Sequence, residues 1–128
     1  GTQEYFVVLA ELLVAARHRG ILTYQEVAKL IAFPLTGSFM GTEIGNLLGE
    51  ISEDQHDLGF PMLSALVVTN SGTPGPGFFN CASRLGRYSG SGTEDERAFW
   101  DAEVAAVHSA WAEILERSQT TGPHASAK

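Results

Sequence analysis

Apolar residues recur at helical spacing near the start of the chain. Tyr5, Leu9, Leu12, Leu13 and Ala16 share one face of a helix predicted over residues 5–19, with Glu11 and Arg17 available to the other face. Arg17, His18 and Arg19 load its last turn, where cations complement the helix dipole, and Gly20 is the expected stop. Thr23 and Glu26 then have the spacing of a capping box, in which the hydroxyl accepts a backbone N–H and the carboxylate reaches back. Tyr24, Val27, Ala28 and Ile31 mark one face of a short second helix that Pro34 ends, with Leu22 placed to staple onto Val27. Residues 35–42 read as a turn. A third helix starts between Ser38 and Thr42 and buries Ile44, Leu47, Leu48 and Ile51. Gly41, Gly45 and Gly49 recur along it at a cost of about 1 kcal/mol each against Ala. Either they permit close packing against another element, which is the expectation, or the helix is irregular.

The pattern changes after Gly59 and Pro61. Met62–Thr69 is nearly continuous in apolar residues and reads as a buried strand. Asn70-Ser71-Gly72 turns it. Thr73-Pro74-Gly75-Pro76-Gly77 cannot be a central strand, because two prolines remove ladder donors. Phe78 and Phe79 then sit on a short returning strand or on a helical turn leading into Cys81. Residues 84–93 read as a loop, and Thr93 with Glu96 as a second capping box. The last helix runs over about 94–118, with Trp100, Val104, Val107, Trp111, Ile114 and Leu115 as its apolar stripe. Residues 119–128 form a polar tail without periodicity. The predicted architecture is α+β: a single winged-helix-like domain over residues 1–118, with three N-terminal helices, a small β-hairpin and a long C-terminal helix.

Composition narrows the function classes. The chain has 128 residues, of which 44% are hydrophobic, and this excludes a disordered chain. A single Cys excludes a disulfide framework and a Cys-rich zinc site. No apolar run reaches the roughly 20 residues needed to span a bilayer, so a cytoplasmic protein of bacterial-type small-domain size, without membrane partners, is expected. Eight Lys and Arg stand against 15 Asp and Glu, for a net charge of -7. That balance disfavours nucleic acid as the main partner, since neutralised phosphates supply most of such affinity. The local balance is sharper still. Residues 38–57, which include the helix that would read DNA, hold no Lys or Arg but carry Glu43, Glu50, Glu53, Asp54 and Asp57.

Leu22-Thr23-Tyr24-Gln25-Glu26-Val27-Ala28-Lys29-Leu30-Ile31 resembles the opening of the helix-turn-helix in the DNA-binding domain of O6-alkylguanine alkyltransferases and alkyltransferase-like proteins. Arg87-Tyr88-Ser89-Gly90 resembles the glycine-rich segment before that family's closing helix. The resemblance covers residues 20–50 and, more loosely, 62–100. It implies a winged-helix fold and puts Tyr24 on the family's functional tyrosine. Departures accompany it. The family's Pro-Cys-His-Arg motif falls on Leu63-Ser64-Ala65-Leu66, so the alkyl-accepting cysteine and its histidine partner are absent. The stretch Ser38–Glu43, where the family carries an arginine finger, holds no Arg.

Each candidate site has a plainer alternative. Tyr24 reads either as a phosphate- or base-contacting residue or as an aromatic packed on Leu22. Pro74, Gly75, Pro76 and Phe78 form either a contact surface, which Arg84 and Arg87 would extend, or a tight connection with its phenylalanines in the core. Phe99, Trp100, Val107 and Trp111 form either an oligomer interface or the domain's own core, on a helix about 37 Å long at 1.5 Å per residue. Cys81 is a nucleophile only with a nearby base and a lowered pKa, and a buried inert thiol otherwise. Glu53, Asp54, His56 and Asp57 are the one cluster with metal-ligand residue types, but the Asp54-x-His56 spacing fits no helical or zinc-loop template and a solvated acidic turn suffices. Gly72–Gly77 lacks the Lys-Ser/Thr of a phosphate-binding loop.

The expected function is a non-enzymatic binding or regulatory module that acts through protein contacts, with another protein or as a homodimer, and without cofactor or metal. The alternatives are a dimeric winged-helix DNA-binding regulator and, third, a small enzyme using Glu50–His56 or Cys81.

Overall fold

A computed structural model describes residues 2–31 and 37–120, and side chains over 3–31 and 43–112. The elements run α1 (Thr2–Arg17), β1 (Leu22–Thr23), α2 (Tyr24–Leu30), α3 (Gly37–Asp57), a 3₁₀ turn (Leu63–Leu66), β2 (Val67–Val68), α4 (Pro76–Arg84) and α5 (Gly92–Thr120). The chain is mostly helical with one small sheet. The predicted end of α2 at Pro34 and the tail from 121 onward lie outside the described residues, as do the surroundings of Gly41 and the side chains of Ile114 and Leu115.

The expected hairpin is replaced by a parallel pair. Leu22 stands opposite Val67 and Thr23 opposite Val68, so the sheet joins β1 to β2 across the whole first half of the chain. The predicted eight-residue strand shrinks to β2 because its first half coils into the 3₁₀ turn. All of Met62–Val68 is buried, and a short apolar run cannot by periodicity be told from a buried helical turn. Side chains then satisfy the turn's backbone. The Trp100 indole donates to the Ala65 carbonyl at 2.8 Å, and the Met62 N–H donates to Glu103 at 2.9 Å. There is no returning strand after Gly77 either. Pro76 opens α4 as its first residue, where its missing N–H is no loss. Phe78 and Phe79 therefore lie on a helix.

The C-terminal ends of α1, α3 and α4 follow one device. At α1 the Gly20 N–H reaches the Ala15 carbonyl at 2.8 Å and the Arg19 N–H reaches Ala16 at 3.2 Å. At α3 the Phe60 N–H reaches Gln55 and the Gly59 N–H reaches His56. At α4 Arg87 reaches Ala82 and Gly86 reaches Ser83. Each is a Schellman cap, with the left-handed position held by Arg19, Gly59 and Gly86 at φ 58, 86 and 75°. The strained residue at the end of α1 is therefore Arg19, one before the glycine expected to stop the helix. At the start of α2 the capping box forms: the Glu26 N–H donates to Thr23 Oγ1 at 3.1 Å, and the Thr23 N–H donates to Glu26 Oε1 at 2.8 Å. The box expected at Thr93 does not, because α5 begins at Gly92. The Asp95 carboxylate instead accepts the Ser91 N–H at 3.0 Å.

Two apolar clusters make the interior. The larger joins Val8, Leu12 and Ala16 of α1, Val27 and Ala28 of α2, Ile44, Leu48 and Ile51 of α3, the 3₁₀ turn and Val107 of α5. The smaller gathers Met62, Ala65, Phe78, Cys81 and Ala82, flanked by Phe79, Tyr88, Phe99 and Trp100. Val104 packs against both.

Candidate functional site

The loop after β2 is rigid for local reasons. The Thr69 N–H donates to Thr73 O at 2.8 Å, Gly72 closes back on Thr69 at 2.9 Å, and Gly72 takes a φ of 81° that suits glycine. This carries Pro74 and Gly75 inward, where both are buried, and leaves Pro76 exposed. A Cβ on Gly75 would stand 3.0 Å from the Tyr24 hydroxyl oxygen, so only glycine lets the loop lie this close. Burial pushes the Tyr24 hydroxyl above its ordinary pKa, and a hydrogen bond from the Gly75 backbone works against that shift.

Tyr24 thus stands against Gly75, and on another side it meets a small cavity that Phe78 also lines. Tyr24, Gly45, Leu48, Gly49, Ser64, Gly77, Phe78 and Cys81 line a cavity of about 20 Å³, room for one water and no substrate. Gly45 and Gly49 line it from α3. A Cβ at either would meet nothing within 4 Å, so these glycines do not serve the close packing expected of them. The Ser64 hydroxyl accepts from the Ser52 hydroxyl at 2.7 Å, with both side chains buried. Cys81 is 3% exposed, and burial pushes its thiol upward in pKa, away from a thiolate.

Arg84 and Arg87 lie apart from this group and are engaged. Arg84 pairs with Glu53 at 2.8 Å. Arg87 pairs with Glu103 at 2.9 Å and meets His56 Nδ1 at 3.1 Å. Neither guanidinium is free to extend a contact surface from Pro74. The stretch Glu50–His56 is no turn but the end of α3, and its polar groups tie other elements down. Glu53 holds α4, Asp54 accepts the Tyr5 hydroxyl of α1, and His56 holds Arg87. Among the described residues no group of three His, Cys, Asp or Glu side chains is placed to hold a metal ion.

The side chains expected at an oligomer interface on α5 make contacts within the domain. Val107 is fully buried, Trp111 stacks on Phe60 at 4.7 Å between ring centroids, and Trp100 bonds Ala65. Phe99 packs between Phe78 and Tyr88 at 5.7 and 5.1 Å. Val107 is thus withdrawn from any partner, while Phe99, Trp100 and Trp111 are half-buried. His108, beside the stripe, meets the Gly20 carbonyl at 2.9 Å.

Two features escaped sequence reasoning. Glu103 is 6% exposed and accepts from both Met62 and Arg87. Its signal was legible: positions 100, 103, 104 and 107 share one helix face, so an acid there interrupts an apolar stripe. The second is a set of large apolar side chains left outside: Phe6, Val14 and Ile21 are 59%, 51% and 51% exposed. Phe6, Ala10 and Val14 follow at four-residue spacing on α1, opposite the buried Val8, Leu12 and Ala16. A cleft of about 160 Å³ also opens beside the loop, between Thr73, Pro74 and Phe79 on one side and Thr93, Glu96, Arg97 and Trp100 on the other.

No helix among the described residues is long and apolar enough to cross a membrane. No protein-family model, curated protein or solved structure matches the chain.

Proposed function

We propose that the chain is a non-enzymatic binding module that acts through protein contacts, with the outer face of α1 as its contact surface. The carrying observation is the exposure of Phe6 and Val14 on a helix whose opposite face is fully buried. A helix apolar on all sides normally has a partner on all sides. Single exposed leucines are ordinary and Leu58 is one, but apolar residues repeated along one helical face form a patch. The chemistry elsewhere favours this reading over an enzyme: the one thiol is buried, and the cavity beside it holds no more than a water. The engaged state of Arg84 and Arg87 weighs against a DNA-binding regulator in the same way.

The test is a photo-crosslinking residue placed at Phe6 or Val14, against one at the exposed polar Ser109 of α5. A discrete adduct from both α1 positions and none from Ser109 is expected, and Val14→Gln should abolish the Phe6 adduct without lowering the melting temperature. Adducts equal at all three positions would sink the reading. Light scattering then separates a second copy from another protein.

A further inference from the structure

We infer that the cleft between Pro74 and the first turns of α5 holds a lysine or arginine side chain of a protein segment. The inference is independent of the α1 face. Size comes first. Pockets for drug-sized ligands run to about 300 Å³ or more, and this cleft, at about 160 Å³, has room for one long side chain instead.

Its walls suit such a side chain. Pro74, Phe79 and Trp100 are apolar, and Trp100 is held in place through its indole N–H on Ala65. Long basic side chains lay their aliphatic stems along surfaces of this kind, and tryptophan is the best of the aromatic faces for a cation. The rim then selects the sign. Glu96 lines the cleft, beside Glu94 and Asp95 in the first turn of α5. Asp95 caps Ser91, and with Glu94 it meets the positive end of α5, so Glu96 is left to face the cleft. The one cation there, Arg97, already has a carboxylate: its Nε lies 3.9 Å from Asp101. The net charge of -7 attracts a basic partner at longer range.

N-acetyl-arginine methylamide titrated into the full chain, followed by NMR, tests the inference, with a Trp111→Phe variant assigning the Trp100 indole. The arginine compound should shift the Trp100 indole and the Phe79 ring. Its uncharged isostere, N-acetyl-citrulline methylamide, should bind at least about 3-fold more weakly, on the scale of one exposed ion pair. Glu96→Gln should weaken arginine binding by a similar factor, Arg97→Gln should strengthen it, and added salt should weaken it. Equal binding of citrulline makes the cleft a plain apolar slot and overturns the inference. Tighter binding of N-acetyl-glutamate methylamide, opposite signs for the two variants, or no shift at Trp100 overturns it as well.

Discussion

Arg19 is the residue most at odds with its own backbone. Three helices end in the same cap, and two of them place glycine at the left-handed position. Arg19 takes φ 58° with a Cβ, although Gly20 is next in the chain. Its side chain is exposed and forms no ion pair among the described residues that would offset the strain. Arg19→Gly is therefore expected to stabilise the fold by about 0.5–1 kcal/mol, net of the greater freedom glycine gains when unfolded, as read by chemical denaturation. The residue scale also shows what a sequence can and cannot say. The Thr23–Glu26 box was legible because both partners lie within three residues. The Asp95–Ser91 contact was not, because a shift of the α5 start from 94 to 92 exchanges one cap for another.

At the scale of elements, α1 and α3 are tied at one end by the Tyr5 hydroxyl donating to Asp54. Burial first, then the Asp54 carboxylate, and then Glu50 raise the Tyr5 pKa from 10.0 to about 12. The folded chain thus binds this proton more tightly than the unfolded one. The resulting stabilisation is complete below pH 10 and is lost as pH rises through about 12. Denaturation at stepped pH should show wild type losing stability across that window faster than Tyr5→Phe, with the two alike in slope near neutrality. Parallel curves throughout would refute the tie. The helices themselves were readable from the sequence because their stripes repeat over three or more turns. The 3₁₀ turn was not, because side chains 35 and more residues away, Trp100 and Glu103, satisfy backbone groups that a strand would have paired.

For the whole molecule, Glu103 is the polar joint. It fixes Met62 at the head of the 3₁₀ turn and Arg87 in the loop before α5, and Arg87 carries the link on to His56 at the end of α3. Its removal leaves the buried Met62 N–H without this acceptor and the half-buried Arg87 guanidinium without its carboxylate. Glu103→Leu is expected to cost about 3 kcal/mol in thermal or urea denaturation, despite the apolar replacement on an apolar stripe. Glu103→Gln, which can still accept from Met62, should lose less. The candidate sites were legible as residue groups and not as places. Tyr24 and Phe78 do line one cavity, but whether it holds a substrate or only a water depends on how closely α4 settles on α3. No local pattern encodes that distance.

The parallel pair between β1 and β2 has a consequence for the order in which the chain folds. Residues 22 and 67 are 45 positions apart, and two residues on each side make up the ladder. Closing a flexible loop of that length costs about 3 kcal/mol in chain entropy before any constant term. A backbone hydrogen bond returns about 1 kcal/mol net. The ladder cannot repay that cost from a loose chain. It becomes favourable only once α1, α2 and α3 have collapsed on one another and shortened the effective loop. The sheet is a late product of the helical core, and residues 22, 23, 67 and 68 govern how fast the protein unfolds more than how fast it folds.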